Sequence, residues 1–337
     1  MSNDLVRNYR RPASLGGAHN ENPDDVTIRW FGTACFEVSF GDKVLLLDNY
    51  YERAAHNRSL GFETEDVTRA DLLLVGHPHH DHVADTVKVS RQTGARAVIA
   101  PIGADYLLEQ GLTSDKVITV PGLGEGDLLE EDGFSVRALH GFHLDVGITP
   151  EQAVKWQAFR TARTELEAEL LGTVITEEEN EKAIEIAHRG VHTPEVNTEA
   201  TLTYIIDIDG FRIAYRDSGG AISEEERAYF TAHPGVDLAI LSINGLPHVS
   251  QHLEDVFLPL AELYRPKVLV PSHHDELWVN FDGSGLSKIF ADVATEPIKS
   301  RVHDVLPDTI TTQPSLIEPL TVNRSKGDVV LGELSLR

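Results

Sequence analysis

Seven consecutive residues, Gly76-His77-Pro78-His79-His80-Asp81-His82, constrain this chain more than any other stretch. They follow directly on Asp71-Leu72-Leu73-Leu74-Val75, an apolar run that reads as a buried strand. A strand ending in imidazoles and a carboxylate delivers metal ligands at its tip, the edge where open α/β architectures place their chemistry. The spacing His-x-His-x-Asp-His gives two alternating imidazoles and then an adjacent carboxylate–imidazole pair. That is enough for two metals side by side. The competing reading is a histidine-rich surface loop, against which both the spacing and the strand-end position weigh. Metal binding is the expectation.

At 337 residues the chain is long enough for a full core, as one large domain or one domain with an insertion. Acidic residues outnumber basic ones 54 to 29, for a formal charge of −25. Such a field repels polyanions, and no basic run is interleaved with aromatics, so nucleic acid is not an expected partner. No stretch approaches the length of a membrane span, so no membrane partner is expected either. Arg10-Arg11 is not followed by an apolar segment and does not read as an export signal. The single cysteine, Cys35, lies in the alternating stretch Thr33–Val38 and reads as a packed thiol; having no partner for a disulfide, it points to a reducing compartment, the cytoplasm.

Residues 1–25 are polar and without period, and read as a flexible arm. Val26–Phe31, Thr33–Phe40 and Lys43–Asp48 read as strands, the last two joined at Gly41-Asp42. After the histidine cluster, a helix over Val83–Gln92, a strand over Ala95–Ala100, a helix over Gly103–Gln110 and a strand over Lys116–Val120 form a βαβ pattern. Asp127–Leu129 and Phe134–Leu139 read as a pair around Asp132-Gly133. Pro150–His188 is rich in Glu, Lys, Arg and Ala at helical spacing, and reads as two helices inserted, with a return segment, over 150–199. Strands then resume at Thr201–Ile208, Phe211–Tyr215, Val236–Ile243 and Lys267–Val270, with helices at Ser223–Phe230 and Leu253–Tyr264. Residues 306–337 are set apart as a C-terminal extension. Pattern alone supports an α/β class with antiparallel hairpins.

With these elements placed, His77-x-His79-x-Asp81-His82 resembles the signature of the metallo-β-lactamase-fold hydrolases, and the likeness extends over most of residues 26–305. It is nearest to the branch of ascorbate-6-phosphate-lactonase-like and phosphodiesterase-like enzymes. The resemblance implies a four-layer αββα sandwich, two mixed sheets face to face with helices outside. It implies His77 and His79 on a first metal, and Asp81 and His82 on a second. A third imidazole for the first metal comes from the segment offering His140 and His143; the strand-then-turn pattern favours His143, leaving His140 beside the site. Asp217, after the strand Phe211–Tyr215, matches the carboxylate that bridges both metals. His273, in Pro271-Ser272-His273-His274, matches the last ligand.

Asp48 stands where the family carries an aspartate close to the metals. Asn49 replaces the family's usual proline, and Asp48 reads either as a support for a ligand imidazole or backbone amide or as a plain strand-end aspartate. Family members often carry glycine where Arg216 stands, which raises the prospect of a guanidinium near the pocket. Tyr50, Arg216, His248, His252 and His274 are the candidates for substrate contact. The implied cofactors are two divalent ions, zinc first and manganese or iron as alternatives. The implied chemistry is attack by a hydroxide bridging the two metals, with Asp81, His273 and Asp217 as the catalytic set. A small lactone, ester or amide is the expected substrate, and a small phosphodiester the alternative. A di-iron redox protein fits less well, because that pattern has glutamate where this chain has His79. An inactive scaffold and a homo-oligomer stay open.

Overall fold

The computed structural model describes residues 11–53, 60–120, 127–144, 146, 154, 176–243, 256–273, 298–312 and 314–331. In chain order these form β1 (Asp25–Trp30), β2 (Phe36–Phe40), β3 (Lys43–Leu47), β4 (Leu72–Leu74), α1 (His80–Val83), α2 (Thr86–Thr93), β5 (Arg96–Ile99), α3 (Pro101–Glu109) and β6 (Val117–Thr119). The chain continues with β7 (Asp127–Glu131), β8 (Phe134–Gly141), α4 (Glu177–Ala187), α5 (Pro194–Glu199), β9 (Thr201–Ile208), β10 (Phe211–Arg216), α6 (Glu224–Ala232) and β11 (Val236–Ser242). It ends with α7 (Leu258–Tyr264), β12 (Pro266–Ser272), a helix over 298–305, β13 (Ile310–Thr311), β14 (Pro319–Asn323) and β15 (Val329–Leu331).

Two mixed sheets result, in the orders β15-β14-β1-β2-β3-β4-β5-β6 and β13-β12-β11-β10-β9-β8-β7. In the first, β3 to β6 are parallel and the rest antiparallel; in the second, β10 to β13 are parallel and the rest antiparallel. Three separate cores fix the layering. Leu45, Leu47, Leu72 and Leu74 of the first sheet share a core with Ile206, Ile213, Tyr215, Ile240 and Val270 of the second. The alternate positions Val44, Leu46, Leu73 and Ile99 pack outward on Val83, Val89 and Leu107 of the helices. On the other side, Ile205, Ala214, Leu241 and Leu269 pack on Phe230, Leu260, Tyr264 and Val302. Strands buried on both faces read as unbroken apolar runs, which is why Leu72–Val75 shows no alternation. The architecture is therefore the four-layer αββα sandwich.

Three departures from the sequence reading have physical causes. Glu37, buried in β2, needs donors, and takes them from the amides of Ala13 (3.0 Å) and Ser14 (2.7 Å), with Arg29 at 3.5 Å. Those contacts hold the described part of the expected arm, 11–25, against the sheet. The segment after 305 likewise adds β13 to one sheet and β14 and β15 to the other, β14 pairing directly with β1. Finally, Val83–Gln92 is not one helix: α1 and α2 are parted at Ala84-Asp85. The buried Asp85 carboxylate accepts from the amides of Tyr51 and Glu52 and from the Thr64 hydroxyl. Of the helical insertion, α4 is described, starting in a capping box at Thr176 with Glu179; most of 147–175, including Trp156 and Phe159, lies outside the described residues.

Candidate metal centre

The site is assembled at the carboxyl ends of four strands, β4 in the first sheet and β8, β10 and β12 in the second. Past β4 the chain turns at Gly76, whose amide donates to Asp48 Oδ1 at 2.8 Å. His77 and His79 follow, His79 in extended backbone, and α1 then carries Asp81 and His82 on its first turn. The second sheet supplies His143 two residues past β8, Asp217 directly after β10 and His273 directly after β12. A Cβ on Gly76 would lie 2.1 Å from Asp217 Oδ2, so only glycine lets the carboxylate of one sheet rest on the loop of the other.

Three donor groups result, each with its ligand atoms within 4.8 Å of one another: His77, His79 and His143; His77, His82 and Asp217; and Asp81, His82 and His273. Neighbouring groups share His77 or His82, so they form a continuous row with Asp217 at its middle. His77 Nε2 lies 2.9 Å from His79 Nδ1, and His77 Nδ1 lies 2.6 Å from Asp217 Oδ2. Asp81 Oδ2 is 3.1 Å from His273 Nε2 and 3.3 Å from His82 Nε2. His82 Nδ1 faces Asp48 Oδ2 at 2.5 Å, and the Tyr215 hydroxyl donates to that same oxygen.

Burial, reinforced by His82 and His143 nearby, pushes His77 well below the usual imidazole range, and burial beside His77 takes His79 down to about 2. Both imidazoles are neutral, with lone pairs to offer. Burial also opposes charge on His82, but Asp81 and Asp48 outweigh it and raise the ring well above the usual imidazole range. Burial would raise Asp81 too, yet His82 and His273 keep it well below the ordinary carboxylate range. Burial alone raises Asp217; burial, with the Asp217 charge beside it, takes Asp48 up to about 6. Asp217 Oδ1 is buried without a hydrogen-bond partner among the described residues. Neutral imidazoles, packed carboxylates and an unmatched buried oxygen fit divalent cations, with a nitrogen–oxygen donor set suited to zinc, manganese or iron.

The structure separates the two histidines between which the sequence reading chose. His143 lies at the cluster, its ring 4.8 Å from His79 and 5.0 Å from His77. His140 faces away, with Nε2 on the Thr198 carbonyl at 2.7 Å. Arg216 is a correction. Asp217 and Arg216 are consecutive, so the guanidinium leaves the strand on the other side; it bonds Glu226 at 2.8 Å and the carbonyls of Ser218 and Ala221. It holds the loop that carries Asp217 and has no reach toward a substrate. Tyr50 is also corrected: its ring is wholly buried between Arg53 and His80. His248, His252 and His274 lie outside the described residues. Cys35 is buried, and burial first of all pushes its thiol up to about 12, as a packed thiol requires. One residue escaped the sequence reading: Tyr215 shares a strand face with Asp217, a period-two relation that could have marked it. His192, whose segment His192-Thr193-Pro194 the sequence brings back toward Asp217, stacks on His79.

A family model described as the beta-lactamase superfamily domain matches residues 27–273. Among curated proteins, a UPF0173 metal-dependent hydrolase of Lawsonia intracellularis is 25% identical over 37% of this chain and 54% of its own length. Another, of Thermoplasma volcanium, is 32% identical over 35% of this chain and 48% of its own length. The chain thus spans about half the length of these relatives. A third, of Oenococcus oeni, is 21% identical over 74% of this chain and 85% of its own. Among solved structures, Igni18, a metallo hydrolase of Ignicoccus hospitalis, superposes with a TM-score of 0.55 at 17% identity, over 88% of this chain and 98% of that one. CmlA, a diiron β-hydroxylase of Streptomyces venezuelae, gives 0.51 at 14% identity, over 90% and 55%. Likenesses at that identity carry the fold and nothing more.

Proposed function

Because this chain belongs to the beta-lactamase superfamily, we propose that it is a metal-dependent hydrolase holding two divalent cations, zinc first among them, and cleaving a small lactone, ester or amide. The observation that carries this reading is the row of three overlapping donor groups. His77, His79 and His143 would hold one ion, Asp81, His82 and His273 the other, and Asp217 would lie between them. When bound, such ions supply Lewis acidity and a water of lowered pKa. The chain's own residues do the rest. Asp48 fixes the His82 ring through Nδ1 and the Gly76 turn through its amide, which holds both ends of the loop that carries His77, His79, Asp81 and His82. The strongly acidic surface turns away polyanions, so a small substrate fits the chain better than a polynucleotide. Among the described residues no helix is long and apolar enough to cross a membrane, and the single buried cysteine accords with a reducing compartment such as the cytoplasm.

Metal analysis of protein expressed with zinc should give about two ions per chain. His143→Ala and His273→Ala should each remove roughly one of them, and His140→Ala none. A content near zero in the parent protein would sink the whole reading. A screen of lactones, esters, amides and phosphodiesters should find turnover among the first three; turnover of phosphodiesters alone would replace the substrate class and keep the site.

A further inference from the structure

One more imidazole borders the donor row. His192, between α4 and α5, lies parallel to the His79 ring, with centroids 5.0 Å apart and planes 12° apart, and its centroid is 5.2 Å from that of His80. Both neighbours are largely enclosed, whereas His192 is exposed. Its ring nitrogens have no hydrogen-bond partner among the described residues.

The position is built by several contacts. The Val191 amide donates to the Pro78 carbonyl at 2.7 Å. Gly190, at φ 142°, packs so closely that a Cβ would come within 2.7 Å of that same carbonyl and 2.8 Å of the His80 nitrogen. Arg189 pairs with Glu52 at 2.5 Å on one side, and on the other Asn197 accepts the His143 amide at 2.9 Å. The segment is thus anchored to both loops that carry the His77, His79 and His143 group, and it presents one exposed ring between the anchors. Holding His79 in place would need only a flat surface. A ring with unspent nitrogens, facing solvent beside the donors, is suited to meeting what arrives there.

We propose that His192 contacts the substrate, hydrogen bonding a carbonyl or carboxylate oxygen next to the His77, His79 and His143 group. The reaction it would serve rests on the hydrolase reading; the contact itself does not. Either neutral tautomer offers one donor and one acceptor, so no change of charge is involved.

The test uses the full chain loaded with zinc and acetate as the probe, a carboxylate of the product class. His192→Phe keeps the flat ring and removes the nitrogens; His192→Gln keeps a donor and an acceptor. Bound zinc should be unchanged in both. The acetate Kd read by calorimetry should rise about tenfold in His192→Phe and by less than about threefold in His192→Gln. For any ester or lactone turned over, His192→Phe should raise KM and leave kcat nearly intact. Parental affinity in His192→Phe, loss of zinc from it, or no acetate binding by the parent protein would each overturn the proposal. Acetate binding that depends on His192 in a protein that hydrolyses nothing would end the hydrolase reading and leave the contact standing. Normal turnover with an indifferent His192→Phe would do the reverse.

Discussion

Gly76→Ala should strip metal from the centre and lower turnover by at least about 100-fold, although the added group is a single methyl. The new Cβ would sit 2.1 Å from Asp217 Oδ2 and 2.2 Å from its Cγ, well inside van der Waals contact. The backbone cannot yield easily, because the Gly76 amide is held by Asp48 and its carbonyl accepts the Leu202 amide at 2.8 Å. Asp217 must then move, and with it the middle of the donor row. Overpacking of this kind costs about 1–3 kcal/mol, which a fold of this size tolerates, so the variant should stay folded and lose its metal. Metal analysis and circular dichroism on one preparation decide it. Full metal content with an unchanged fold would show that Asp217 does not rest on Gly76 in the working protein.

Arg216→Met should destabilise the fold by about 3–5 kcal/mol, as loss of one partner from a buried ion pair does. Glu226 Oε1 takes the Arg216 Nε at 2.8 Å, the Thr203 hydroxyl at 2.8 Å and the Tyr264 hydroxyl at 2.7 Å, while Oε2 takes the Ser223 amide at 2.9 Å. Both side chains are within 1% of full burial, so water cannot replace the lost guanidinium. Denaturant unfolding reads the loss, and Arg216→Met with Glu226→Leu should recover part of it. Burial would raise the Glu226 carboxyl, but Arg216 and the surrounding donors hold it below its ordinary 4.5. A lowered folded value stabilises the fold fully above pH 4.5 and ceases to do so as pH falls through it, so the parent should lose its advantage over Glu226→Gln only in that acid range. A loss under about 1 kcal/mol for Arg216→Met would mean that the pair does not support the Asp217 loop.

The sequence made the strands legible because burial and turn chemistry agree locally: Thr201–Ile208 matches β9 residue for residue, and Asp209-Gly210 marks the turn to β10. His77 to His82 stood out because one short segment holds them all. Arg216 misled, since its neighbour Asp217 belongs to the site while the alternation of a strand sends the two side chains opposite ways. Glu37 gave no sign that it would bind the segment around Ser14, because a buried carboxylate in a strand looks like any solvent-facing one until its donors are seen. Gly76 could be read as a turn residue, but the carboxylate resting on it comes from the other sheet. Contacts of that kind leave no local pattern.

The two sheets meet at donors far apart in the chain: His77 and Asp217 are 140 positions apart, and Asp81 and His273 are 192. The entropy of bringing two ends together grows only with the logarithm of the length between them. Stretching such a loop from the shorter span to the longer costs about 0.3 kcal/mol, and trimming roughly fifty residues from the shorter one returns about 0.4 kcal/mol. What holds the donors together is therefore the apolar closure of the sheets, almost indifferent to how much chain runs between them. As far as closure entropy goes, length between His143 and Asp217 is therefore nearly free. What fixes that stretch is contact: Ile186 of α4, Val196 of α5 and the strands β9 and β10 are part of the cores, so chain added between such anchors changes what surrounds the donors without changing what joins them.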